Sequence, residues 1–126
     1  MANTPLKSPS RVKATRLRAA AQWTAGLGLA ALGYAVVSSS ASSNFPEELA
    51  LIWSLPWGKA ALIDTYVGIA LVAIWICLRE AKLASRVLWI IALLTLGNIA
   101  TCVYVLIALA KSGNNLEEFF LGSSRR

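Results

Sequence analysis

Asp64 is the residue with the most chemistry in reach. It stands inside an apolar run, Ala60 to Leu78, that otherwise carries no charge. A carboxylate at the centre of a membrane span costs about 2.5–3.5 kcal/mol and less toward the ends. Asp64 follows Lys59 by about one helical turn, so its depth is shallow to moderate. Three roles fit such a position. The carboxylate complements the dipole of a helix N-terminus while still reaching water; it forms an ion, proton or ligand site; or it pairs with another protein. The third apolar run supplies neutral polar partners. Gly97, Asn98, Thr101 and Tyr104 project within about a third of a helix circumference. If the last two runs form an antiparallel hairpin, Tyr104 lies near the depth of Asp64, and a Tyr104 hydroxyl on the carboxyl group satisfies it. Tyr34 in the first run is a further candidate. Asn98 and Thr101 suit hydrogen bonds between helices. In a straight third span Asn98 stands about 12 Å from Asp64 in depth. The candidate intramembrane polar site is therefore Asp64, Tyr104, Asn98, Thr101 and Tyr34.

Other chemistry is thinly supplied. The sequence has no His, the commonest general base and metal ligand. No nucleophile stands beside a base, and no phosphate loop or metal cluster is evident, so no enzyme, cofactor or metal is expected. Cys77 and Cys102 are expected in opposite halves of the membrane, too far apart for a disulfide, and read as small apolar side chains. Arg79 and Glu80 close the second run and suit a solvated loop, or a network with Lys82 or Arg86.

The elements that must hold these residues follow from composition. Of 126 residues, 57% are hydrophobic and 14% charged, against about 25% charged in a soluble domain. The apolar residues fall in long runs that a fold this small cannot bury by itself. The expected class is an all-α membrane protein with three transmembrane helices, at about 20–42, 60–78 and 87–110. A basic tail, 1–19, precedes them, and a tail follows at 112–126. Between the first two spans a short helix, about 45–54, lies on the surface, with capping-box spacing at Asn44 and Glu47. Pro56, Trp57, Gly58 and Lys59 turn that helix into the second span. Ser85 is the expected N-cap of the third span, and Lys111 with Gly113 its stop. Gly26, Ala30 and Gly33 place small residues on one side of the first span; Gly28, Ala31 and Ala35 repeat the spacing on another. Gly68 and Gly97 are further points of close helix approach.

The net charge of +6 is distributed as a topology signal. Eight of the twelve basic residues lie in the N-terminal tail and the 79–86 loop. No aromatics are interleaved with them, so nucleic acid is not an expected partner; anionic lipid head groups are. Three spans then place the N-terminus and the 79–86 loop in the cytoplasm of a bacterial-type cell and the C-terminus outside. The first span also has the layout of a signal peptide, with Ser39-Ser40-Ala41 as a small-residue tail. Cleavage there leaves two spans; retention leaves three, and retention is the expectation.

The set Pro56-Trp57-Gly58, Asp64-Thr65-Tyr66-Val67-Gly68, Arg79-Glu80, Leu96-Gly97-Asn98 and Tyr104 resembles a family of small membrane proteins of unknown function found in bacteria and plants. The resemblance covers about Phe45 to Lys111. It implies a three-helix integral membrane protein with no established activity, and it carries over no catalytic residues. Two functions are expected. The first is a non-enzymatic accessory or assembly component of a larger membrane complex, bound through the Gly26-Ala30-Gly33 side and the polar arc of the third span. The alternative is a self-associating permease or proton-handling protein that uses Asp64 and Asn98.

Overall fold

A computed structural model describes residues 9–113 and 115–122. Those residues are helical, with no strand among them. Six helices follow in order: α1 (Pro9–Ser42), α2 (Phe45–Ser54), α3 (Pro56–Arg79), α4 (Leu83–Leu96), α5 (Asn98–Ser112) and α6 (Leu116–Leu121). Two of them are long and apolar enough to cross a membrane, α1 over Val12–Ala41 and α3 over Pro56–Arg79.

The expected third span is not a single helix. Gly97 interrupts it with φ 57° and ψ −132°, a conformation open in practice only to glycine. The Gly97 N–H still closes α4 on the Leu93 carbonyl at 2.9 Å, and its own carbonyl accepts from Ala100 at 3.1 Å. The chain reverses there. Trp89, eight residues before the turn, meets Tyr104, seven after it, with ring centroids 4.9 Å apart. A straight helix would hold them about 22 Å apart. Gly97 is thus a turn, not a point of close helix approach, and nothing lies within 4 Å of where its Cβ would be.

This reversal corrects the expected arrangement of the ends. α5 runs back beside α1 in the opposite direction. Arg18 donates to the carbonyls of Leu109, at 2.8 Å, and Gly113. A Cβ on Gly28 would stand 3.3 Å from Cys102 Sγ. α3 returns to the same end, where Arg79 meets Tyr104 and Ala108. The start of α1, the 80–82 connection and the end of α5 therefore share one end of the molecule. The Gly97 turn shares the other with Ser39, Ser40 and α2, which border a common groove with Thr95.

Helix packing uses small residues, but not the expected ones. Along α1, Ala14, Arg18, Ala21, Ala25, Gly28 and Leu32 recur at four- and three-residue steps, and all are at least partly buried. That seam faces α5. Gly26 and Gly33 have nothing within 4 Å of a Cβ position, and Ala30 is exposed. Gly68 is likewise exposed and open. The core is small: Ile69, Ile76, Leu93, Ala100 and Tyr104, with Trp75 and Trp89 packed against it. Most large apolar side chains on α3 and α4 point outward, among them Ile63, Leu71, Ile74, Leu78, Leu88 and Leu94.

The corner between α2 and α3 is built by backbone. Leu55 ends one helix and begins the next, and Pro56 occupies the first helical position of α3, where its missing N–H has no cost. Gly58 is required because a Cβ there would run into the Ile52 carbonyl. Trp57 is 87% exposed. Asn44 caps α2 through its backbone only, not through the expected side-chain box. Lys82, not Ser85, precedes the first turn of α4.

Candidate functional site

The polar centre forms where α3, α5 and α6 end and α4 begins. Arg79, the last residue of α3, is buried although it follows an apolar helix. Burying a guanidinium is costly unless each donor is used, and its donors are directed to separate acceptors. Nε donates to the Phe119 carbonyl at 2.8 Å. Nη1 donates to the Tyr104 hydroxyl at 3.1 Å, and Nη2 reaches the Ala108 carbonyl at 3.5 Å. Two of these acceptors are carbonyls near the C-terminal ends of helices, where a cation is favoured by the helix dipole.

Glu80 completes the centre. Its Oε1 accepts from the Tyr104 hydroxyl at 3.0 Å and stands 3.6 Å from Arg79 Nη1. Its Oε2 accepts from Ser85 at 2.9 Å, and its backbone carbonyl accepts from Arg86 Nε at 2.7 Å. The Tyr104 hydroxyl therefore accepts from a cation and donates to an anion. Its ring is fixed edge-on by Trp75, with centroids 5.4 Å apart, and by Trp89. Trp75 Nε1 in turn donates to the Phe120 carbonyl at 3.1 Å, tying α6 to α3. Asn115 starts α6 by accepting from the Glu117 N–H at 3.1 Å.

Chemically this is a clamp. Arg79, Tyr104, Glu80 and Ser85 are joined to one another in a chain of hydrogen bonds. Among the described residues no group of three or more His, Cys, Asp or Glu is placed to hold a metal. Beside the clamp lies a recess of about 380 Å³, lined by Arg79, Glu80, Lys82, Ser85, Lys111 and Glu118 with Ala81 and Gly122.

The residues expected to form one intramembrane site are dispersed. Tyr104 serves Arg79 and Glu80 and does not meet Asp64, which lies fifteen residues back along α3 from Arg79. The reversal at Gly97 carries Tyr104 to the opposite end of α3. Asp64 is exposed, and among the described residues it makes no hydrogen bond or ion pair. Tyr34 is 78% exposed on α1. Asn98 is exposed at the turn, and the Thr101 hydroxyl is buried without a hydrogen-bond partner among the described residues. The Arg79–Glu80 pair, expected in a solvated loop, is instead the structural centre, and Arg86 joins it through the Glu80 backbone. The adjacent Arg and Glu closing an apolar helix were the available signal. Their partner was not legible without the turn. Both cysteines are free.

A family model described as "Protein of unknown function (DUF1475)" matches residues 13–118, and the chain belongs to that family. No curated protein and no solved structure matches the chain.

Proposed function

We propose that this DUF1475 protein is a small multi-pass membrane protein that works without catalysis, as an accessory or assembly component of a larger membrane complex. One observation supports it above others. The Gly26-Ala30-Gly33 side of α1 is left open by the chain's own helices, which pack on Ala25 and Gly28 instead. Small residues on a lipid-facing side admit the close approach of another helix. The outward Leu and Ile of α3 and α4 suit lipid as the surrounding solvent.

In this reading α1 and α3 cross a bacterial-type plasma membrane, and the α4–α5 hairpin enters it from the cytoplasmic side and returns. Both termini and the 79–86 loop then lie in the cytoplasm. The basic residues favour that placement. All except Lys59 precede the apolar part of α1, lie at 79–86, or follow the apolar part of α5, as the positive-inside rule requires. A third span that exited on the far side would have put Lys111, Arg125 and Arg126 outside.

Purification of the tagged full chain from native membranes in mild detergent tests the assignment. A larger membrane protein is expected to co-purify in fixed ratio and to be lost from the Ala30→Leu variant, whose own fold is unchanged because Ala30 is exposed. Recovery of self-oligomers alone, unaffected by Ala30→Leu, contradicts it.

A second reading, an oligomeric permease or proton-handling protein using Asp64 and Asn98, is favoured by one observation: Asp64 stands exposed on an apolar helix and makes no hydrogen bond or ion pair among the described residues. It requires self-association, and it predicts that Asp64→Asn abolishes a flux while the protein stays folded.

A further inference from the structure

The recess beside the Arg79–Glu80 clamp carries charges that the clamp does not use. Lys82 leads into α4, Lys111 ends α5 and Glu118 belongs to α6. Among the described residues none of the three makes an ion pair or hydrogen bond through its side chain, although all border one space. Cations and a carboxylate that share a recess without closing on each other leave room for a ligand of both signs. The volume, about 380 Å³, falls in the range of about 300–1,000 Å³ usual for small-ligand sites.

We propose that this recess holds the headgroup of an aminophospholipid, with its phosphate between Lys82 and Lys111 and its primary ammonium on Glu118. The proposal rests on the membrane reading above. Several features narrow the ligand. A primary ammonium brings three N–H donors to a carboxylate. A quaternary ammonium brings none and is usually held by an aromatic cage, and none of the described lining residues is aromatic. A headgroup with no cation leaves Glu118 facing a phosphate of its own sign. The source is a lipid because of where the recess lies. It sits where α3, α5 and α6 end and α4 begins, and the chain neighbours of its lining residues include exposed apolar side chains, Leu78 before Arg79, Leu83 after Lys82 and Leu121 before Gly122, which suit acyl chains.

Native mass spectrometry of the full chain in mild detergent, titrated with phosphatidylethanolamine, phosphatidylcholine and phosphatidylglycerol, tests this. Phosphatidylethanolamine is expected to bind about tenfold more tightly than the other two, the scale of one charge-assisted hydrogen bond. Glu118→Gln should erase the preference over phosphatidylglycerol. The double change Lys82→Ala, Lys111→Ala should weaken all three lipids. Equal binding of the three lipids, or a preference that survives Glu118→Gln, overturns the proposal. Displacement by soluble phosphoethanolamine at equal concentration overturns the lipid assignment. Alkaline carbonate extraction of the same chain separates the two layers of the argument. Release from membranes refutes the membrane reading, whereas retention with no headgroup preference refutes the headgroup alone.

Discussion

At the scale of single residues, Tyr104 and Arg79 together tie the ends of the helices to one another. The Tyr104 hydroxyl lies between the Arg79 guanidinium and the Glu80 carboxylate, and its ring lies between two tryptophans. Tyr104→Phe keeps the ring contacts and removes both hydrogen bonds. It is expected to destabilise the fold by about 1–3 kcal/mol, the cost of leaving buried polar atoms unpaired. Arg79→Met removes the cation and leaves Glu80, Phe119 and Ala108 short of donors, at about 3–5 kcal/mol. Asp64→Asn changes an exposed side chain with no hydrogen bond or ion pair among the described residues and should stay within about 0.5 kcal/mol. Denaturant-induced unfolding in detergent, followed by tryptophan fluorescence, orders the three. An Asp64 variant as damaging as the Tyr104 variant would return Asp64 to the centre of the structure.

At the scale of elements, two glycines of similar sequence context have opposite roles. Gly97 holds a positive φ at the α4–α5 turn, whereas Gly33 lies in a regular helix with open space at its Cβ position. Gly97→Ala is expected to cost about 1–3 kcal/mol. Gly33→Ala should be neutral or stabilising by up to about 1 kcal/mol, since alanine favours the helix. The same unfolding measurement decides both, and equal effects would refute the turn. These elements also show what the sequence could express. The α2–α3 corner was legible because Pro56 and Gly58 act locally, through a fixed φ and a steric limit. The α3 helix was legible because its apolar run is long and ends on Arg79. The break at Gly97 was not, because glycine is tolerated inside apolar helices and Leu96-Gly97-Asn98 does not distinguish a continuous span from a hairpin. The clamp depends on that hairpin. Arg79, Glu80 and Tyr104 were each visible as candidates, but the sequence paired Tyr104 with Asp64, the partner a straight span would bring near. The choice of Gly28 over Gly26 for the α1 seam has the same character. Both spacings were present, and the path of α5 selects between them.

At the scale of the whole molecule, the central claim is the return of α5 to the end where α1 begins. It gathers the buried clamp, the charged recess, Arg18 and Lys111 at one end of the molecule, with Lys59 at the other; in the proposed membrane reading that end is the cytoplasmic face. Single-cysteine variants read this directly. With Cys77 and Cys102 replaced by alanine, a cysteine is placed at Lys13, Lys59 or Glu117, all exposed, and a membrane-impermeant maleimide is applied to intact cells and to inverted vesicles. Lys13→Cys and Glu117→Cys are predicted to react in inverted vesicles only, and Lys59→Cys in intact cells only. Labelling of Glu117→Cys together with Lys59→Cys from the outside would mean that the third apolar stretch crosses as one span, and would contradict the account.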